Sequence, residues 1–225
     1  MNKISLNKCP LFAGLNEKDT DAAFAFFDCR KRSYKKGELL GNIGEKLERF
    51  GLVLDGCVQI YTLDIDGSQM IMSTVTPGET FGESLSFLRE DMPVFISAMS
   101  ETNILWLSTE KLRTENSITQ SEKVFVNRFI SLLANRALSM NDRIQILSKL
   151  TIREKLIAFF TESVRKYRSY SFKLPFDRND MAIYLGCDRC ALSRELSKMS
   201  KEGLISFNKN SFTVNKRYEL TNNYD

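Results

Sequence analysis

The sequence predicts an α+β chain in three consecutive parts: a β-rich N-terminal domain, one long helix, and a C-terminal domain of short helices ending in a hairpin. Three observations carry that prediction. Turn signals recur at a fixed interval in the first half, with Asp55-Gly56, Asp66-Gly67 and Pro77-Gly78 standing eleven residues apart. From Thr119 to Leu150 there is neither glycine nor proline, and apolar residues recur every three or four positions. After Thr151 the pattern breaks into short segments with capping and turn residues between them.

The N-terminal part, residues 1–115, reads as consecutive short strands from about Lys31 to Trp106. In Cys57-Val58-Gln59-Ile60-Tyr61-Thr62-Leu63 apolar and polar positions nearly alternate, as in a strand with one buried face, and each Asp-Gly supplies the positive φ of a tight hairpin. Strand character persists through Phe95-Ile96-Ser97-Ala98 and Asn103-Ile104-Leu105-Trp106. Spacing of this kind predicts an antiparallel roll, double-stranded and jelly-roll-like, of roughly eight strands.

The second part, residues 116–150, is the long helix. Its apolar positions are Val126, Phe129, Leu133, Ala137, Met140, Ile144 and Leu147. From Leu133 onward the steps alternate four and three, the heptad pattern of helices that wind around a partner, and this predicts pairing with a second copy of the chain. Packing of the same seam against the β-domain is the competing account.

The third part, residues 151–225, opens with a helix over Ile152 to Tyr167 and breaks at Pro175. Asp177 can cap a short helix from Arg178 to Leu185, Gly186 closes a tight turn, and a second helix runs from Asp188 to about Lys201. Two helices joined by a short glycine turn are the helix-turn-helix signature. Met181, Ala182, Leu185, Cys187, Leu192, Leu196 and Met199 supply its inward positions. Leu204 to Phe207 and Ser211 to Val214 flank the turn Asn208-Lys209-Asn210 and read as a β-hairpin wing.

The other face of the second helix presents Arg189, Ser193, Arg194 and Lys198. Arginine in a major groove can bond guanine O6 and N7 bidentately, while serine or lysine holds phosphate. Asp188 can cap the helix, orient Arg189, or accept from a cytosine amino group. Charge agrees with a polyanion reader at this end: residues 1–115 carry a net −4, 116–150 a net +3 and 151–225 a net +5.

Composition narrows the alternatives. The chain has no histidine, which removes Ser-His-Asp and Cys-His catalysis, imidazole-ligated zinc and histidine-ligated haem. Cys57 with Glu83 is a scattered nucleophile and base without a motif, so no catalytic residue, metal site or cofactor is expected. The five cysteines, Cys9, Cys29, Cys57, Cys187 and Cys190, are odd in number and irregular in spacing, which fits reduced thiols. The longest stretch without a charge, Gly67 to Gly78, has twelve residues, too few for a membrane span, and the lysines at positions 3 and 8 interrupt any secretory signal. A cytoplasmic protein is expected.

With these residues in order, the sequence resembles the Crp/Fnr family of bacterial transcription regulators over nearly its whole length. The marks are Pro10-Leu11-Phe12 with Leu15, Lys36-Gly37-Glu38, Asp55-Gly56-Cys57-Val58-Gln59-Ile60-Tyr61, Asp66-Gly67, Pro77-Gly78-Glu79-Thr80-Phe81-Gly82-Glu83, Leu185-Gly186-Cys187, and Gly203-Leu204-Ile205. The resemblance implies a homodimer joined through the long helix, a sensor roll for a small-molecule effector, a reading domain for palindromic double-stranded DNA, and RNA polymerase as a partner of an activator. It implies Arg178 as a phosphate contact and Arg189 and Arg194 as groove residues. Cys190 stands where well-known members place a glutamate, and Glu195 where an inward apolar residue is usual.

The resemblance also locates an effector pocket at Gly82, Glu83, Ser84, Pro93 and Val94. Cyclic-nucleotide-binding relatives carry an arginine and a serine or threonine at the last two positions, and neither Pro93 nor Val94 offers a cation or hydroxyl to a phosphate. Cyclic AMP is therefore not the expected ligand, and Arg89 could substitute only by a loop shift. Cys187-Asp188-Arg189-Cys190 keeps open a second reading, a thiol-redox or small-molecule sensor acting through a protein partner.

Overall fold

The computed structural model describes residues 3–67, 69–114, 118–174 and 177–215. Its contacts divide the chain into two compact units, residues 1–135 and 136–225. The expected break at Pro175 lies outside the described residues.

The first unit begins with α1 (Lys3–Lys8) and α2 (Glu17–Phe26), followed by β1 (Arg30–Tyr34), β2 (Leu39–Gly41), β3 (Arg49–Asp55), β4 (Val58–Leu63), β5 (Gln69–Val75) and β6 (Thr80–Phe81). Then come α3 (Glu83–Leu88), β7 (Phe95–Ala98), β8 (Thr102–Ser108), the short α4 (Glu110–Arg113) and α5 (Lys123–Leu147), which continues into the second unit. The expected roll is present as two four-stranded sheets in the orders β1-β8-β3-β6 and β2-β7-β4-β5, with every pairing antiparallel. The β3–β4 and β4–β5 turns are built on Gly56 and Gly67, both at positive φ, as their Asp-Gly pairs predict.

The roll has two apolar layers. Between the sheets lie Tyr34, Leu47, Val53, Val58, Phe81, Met92, Ile96 and Ile104. Outside them, Phe50, Leu52, Leu54 and Leu107 meet α1, α2 and the start of α5 through Leu6, Phe12, Phe26, Phe27, Phe125 and Phe129. The Phe129 ring sits 5.7 Å from Phe50 and 5.9 Å from Phe87. Arg128 on the same helix donates to the carbonyls of Pro10 and Ala13 at 3.0 and 2.9 Å.

These contacts divide the seam expected along α5. Phe129 is buried, and Val126 and Leu133 pack half-buried on the roll, so the competing account holds for the first half of the helix. Beyond it, Ala137, Met140, Ile144 and Leu147 are exposed in the protomer. They are joined by exposed Ile130, Ala134 and Leu138, which the sequence reading left out. Ile130, Ala134, Ala137, Asn141 and Ile144 follow steps of four and three, so an exposed heptad stripe does exist, on a face rotated from the expected one.

The second unit continues with α6 (Ile152–Tyr167), β9 (Ser171–Lys173), α7 (Arg178–Leu185), α8 (Arg189–Lys201), β10 (Ile205–Asn208) and β11 (Ser211–Val214). Its strands form one antiparallel sheet in the order β10-β11-β9. The core joins Leu156, Phe160, Phe172, Met181, Ala182, Leu185, Leu192, Leu196, Met199 and Phe212. The inward positions predicted for the two helices are buried, except Cys187, which is half-buried.

Candidate nucleic-acid interface

The helix pair α7 and α8 is fixed at each end by local chemistry. The Asp177 carboxylate accepts from the backbone N–H of Asn179 and Asp180, and the Asp180 side chain returns the bond to the backbone of Asp177, a reciprocal cap. Those bonds hold the Asp177 carboxyl below its ordinary pKa. At the other end Gly186 takes φ 57, and its N–H and that of Cys187 bond back into the last turn of α7. Lys155 on α6 donates to the carbonyls of Leu185 and Gly186 at 3.0 and 3.3 Å, placing a cation at the negative end of α7.

Helix α8 is held from α6 by one arginine. Arg153 donates through Nε to Glu195 Oε1 at 2.6 Å and through an Nη to both carboxylate oxygens of Glu202 at 2.8 and 2.7 Å. Glu195, irregular by comparison with the family pattern, is thereby accounted for. It is half-buried because its charge is used on the side of α8 that faces α6.

The exposed positions of α8 carry the predicted reading residues. Arg189, Arg194 and Lys198 are exposed, as is Cys190. Ser193 is half-buried, and its hydroxyl donates to the Arg189 carbonyl at 2.9 Å, so the proton is spent on the helix backbone and the oxygen remains an acceptor. Asp188 accepts from Ala191 N–H at 2.8 Å through Oδ1, so it fills the capping role, one of the three open to it.

Arg178 lies apart from these. Its guanidinium is 5.1 Å from the Phe207 ring centroid and 5.2 Å from that of Phe212, and one Nη donates to the Lys209 carbonyl at 3.1 Å. It pins the wing turn to the start of α7. Lys209 itself is exposed at the two-residue turn between β10 and β11, with φ 54. Sequence reasoning missed this clamp because its three ring and carbonyl partners lie about thirty residues downstream.

In the roll, Gly82 takes φ 79 at the start of α3, and a side chain there would collide with Leu47. Glu83 is buried and accepts from the Thr80 hydroxyl. Ser84 and Pro93 are exposed, and Val94 packs half-buried on the inner layer. Arg89, the substitute cation considered above, is paired with Glu110 at 2.8 Å. The inner layer is filled by rings: Phe81 lies over Gly51, meets Trp106 at 5.5 Å, and Trp106 Nε1 donates to Tyr34 Oη at 3.0 Å.

Comparison with known proteins follows this division. The family model for the cyclic nucleotide-binding domain matches residues 31–115, and the model for the Crp-like helix-turn-helix domain matches residues 154–222. Together, in this order, they span more than half of the chain. The chain belongs to the Crp/Fnr family of transcription regulators. Among its relatives, the anaerobic regulatory protein of Pasteurella multocida is 25% identical over 206 residues, covering 89% of this chain and 74% of the other. The transcriptional activator protein FnrA of Stutzerimonas stutzeri is 27% identical over 208 residues, covering 89% and 82%. The solved structure of FixK2 from Bradyrhizobium japonicum shares the fold with a TM-score of 0.55 at 24% identity, over 86% of this chain and 96% of that one. This Crp/Fnr chain is thus a DNA-binding regulator by family, and no helix among its described residues is long and apolar enough to cross a membrane.

The remaining cysteine question is one of chemistry. Burial, more than the neighbouring Lys155, sets the Cys187 thiol, pushing its pKa up and disfavouring the thiolate. Among the described residues no group of three or more cysteine, aspartate or glutamate side chains could hold a metal ion.

Proposed function

We propose that the protein acts in the cytoplasm as a homodimer that reads a two-fold symmetric DNA site. The sensor roll occupies 1–115, the pairing helix 116–150 and the reading domain 151–225. The observation that carries this reading is the division of α8's polar residues, of which Glu195 and Glu202 tie the helix to α6 through Arg153 while Arg189, Arg194 and Lys198 stand exposed. Arg189 and Arg194 contact base edges and Lys198 phosphate, Ser193 joins it at phosphate once its hydroxyl turns from the Arg189 carbonyl, and Asp188 caps the helix that carries them. Arg178 contributes a phosphate contact and keeps the wing in place. RNA polymerase is the partner if the outcome is activation.

Selection of random duplex DNA by the purified protein tests this directly. A two-fold symmetric consensus with half-sites about one helical turn apart is expected. Arg189→Ala or Arg194→Ala should lose about 1–3 kcal/mol on that site and blur the base preference. Arg178→Ala should weaken all sequences alike. Equal losses on selected and random DNA from all three variants would remove the assigned roles.

The roll does not take cyclic AMP or cyclic GMP as a tight ligand. Pro93 and Val94 stand at the phosphate-gripping positions, Glu83 is engaged by Thr80, and Phe81, Trp106 and Leu47 fill the interior. Calorimetry with either nucleotide should show no saturable heat, and micromolar binding would overturn the assignment. Any effector of the roll is a different small molecule. Thiol control through Cys190 is the second reading, favoured by its exposure at the start of α8. It ends if Cys190→Ser and the parent protein keep the same DNA affinity under oxidant.

A further inference from the structure

The lower part of α5 encloses, with α6 and α7, a cleft of about 370 Å³, a size that suits a small molecule. Every residue lining it belongs to the second unit. Its apolar surface is made by Met140 and the rings of Phe159, Tyr167 and Tyr184, and Phe159 meets Tyr184 edge-on with centroids 5.6 Å apart. Its cations are Arg136, Arg143 and Lys166, and its carboxylates are Asp142 and Glu162. Both carboxylates already serve Arg165, which lies 3.5 Å from Asp142 and 2.8 Å from Glu162.

Arg143 is differently placed. Its guanidinium lies 5.3 Å from the Tyr184 ring centroid, and its Nε is buried with no hydrogen-bond partner among the described residues. A buried donor of this kind costs free energy, which a small turn of the guanidinium toward an acceptor in the cleft would recover, and a charged acceptor would recover more. Burial also pushes the Tyr184 phenol up, so at neutral pH it adds no negative charge to the wall. The cleft therefore combines aromatic walls with the guanidinium of Arg143, whose Nε has no partner among the described residues.

We propose that this cleft binds a small aromatic anion, with its ring among Tyr184, Phe159 and Tyr167 and its acid group on Arg143. The site is separate from the roll and from the reading face, since neither Glu83 nor Arg189, Arg194 or Lys198 lines it. Arg136, Ser139 and Arg143 also occupy a different face of α5 from the exposed stripe of Ile130, Ala134, Ala137 and Asn141. A ligand here touches α5, α6 and α7 together, so it favours whichever arrangement of these helices closes around it.

Calorimetry on the full-length protein with phenyl phosphate, phenylacetate and inorganic phosphate tests the site without reference to DNA. At least one aryl anion should bind saturably and about tenfold or more tightly than inorganic phosphate, and the pair distinguishes phosphate from carboxylate as the preferred acid. Arg143→Gln should weaken that binding about tenfold. Ser139→Trp, at an exposed position on the cleft wall, should block it while leaving the thermal transition unchanged. Absence of saturable aryl-anion binding overturns the proposal. So does binding that both variants leave intact, or inorganic phosphate binding as tightly as the aryl compounds.

Discussion

Ile144→Glu is expected to leave the protomer folded and to abolish its pairing, with a loss of about 100-fold or more in affinity for a palindromic site. Ile144 is 62% exposed in the protomer, as are Leu138 and Met140, so the protomer's own core does not depend on it. In a two-fold pair of α5 helices each glutamate faces its symmetry mate across an apolar seam, which combines desolvation of two carboxylates with like-charge repulsion. The loss on DNA is large because a dimer presents its second reading domain at a high effective concentration once the first is bound, and a monomer does not. Sedimentation velocity and DNA retention on the same samples check it. A variant that still sediments as a dimer and binds the site normally would show that α5 does not pair through this stripe. Phe129→Ala makes the contrasting control, since Phe129 is 2% exposed against the roll and its loss should lower the melting temperature of the first unit.

What sequence made visible here was local. Asp-Gly turns, the Asp177 cap and the Gly186 turn each act within four residues, so the chain displays them directly, and the helices over 152–167 and 178–185 stand where those signals put them. Strand β9 is only three residues long, too short for a period, and its pairing with β11 is decided by residues forty positions away. The α5 seam is divided between the roll and an exposed stretch for a related reason. A helix buries a face rather than a line, and Val126, Phe129 and Leu133 satisfy a heptad and a roll-packing face equally well; only the position of Phe50 and Phe87 decides between them.

The reading residues illustrate the same division. Arg194 and Lys198 are legible as surface residues because helical spacing turns them away from Leu192, Leu196 and Met199, and those three are fully buried, whereas Arg189 shares their stripe and is exposed as the first residue of α8. Arg178 could not be placed, because what positions it is a pair of rings on the wing. The departure from the cyclic-nucleotide pattern at Pro93 and Val94 is legible in the chain, while the filling of the roll by Phe81, Trp106 and Leu47 needs the sheets to be assembled.

Arg153→Met should lower the stability of the second unit by about 1–2 kcal/mol and weaken DNA binding on selected and random sequences together. The arginine touches no reading residue, so its effect must pass through the placement of α8. Its side chain is 34% exposed and that of Glu195 21%, which puts the pair between surface and core and keeps the expected loss toward the lower end for charge-assisted bonds. Removing the arginine leaves the Glu195 carboxylate half-buried with its main partner gone, and this stranded charge accounts for much of the loss. It follows that Glu195→Leu, added to Arg153→Met, should recover a large part of the stability, because the apolar residue restores what the family pattern ordinarily has at that position. Denaturant melts of the four proteins in the cycle give the coupling, expected at about 1 kcal/mol. Additive losses in the double variant would mean that Arg153 and Glu195 contribute independently. Recovered stability without recovered DNA binding would separate the two roles of the network, leaving the Arg153–Glu202 bonds as what fixes the angle of α8.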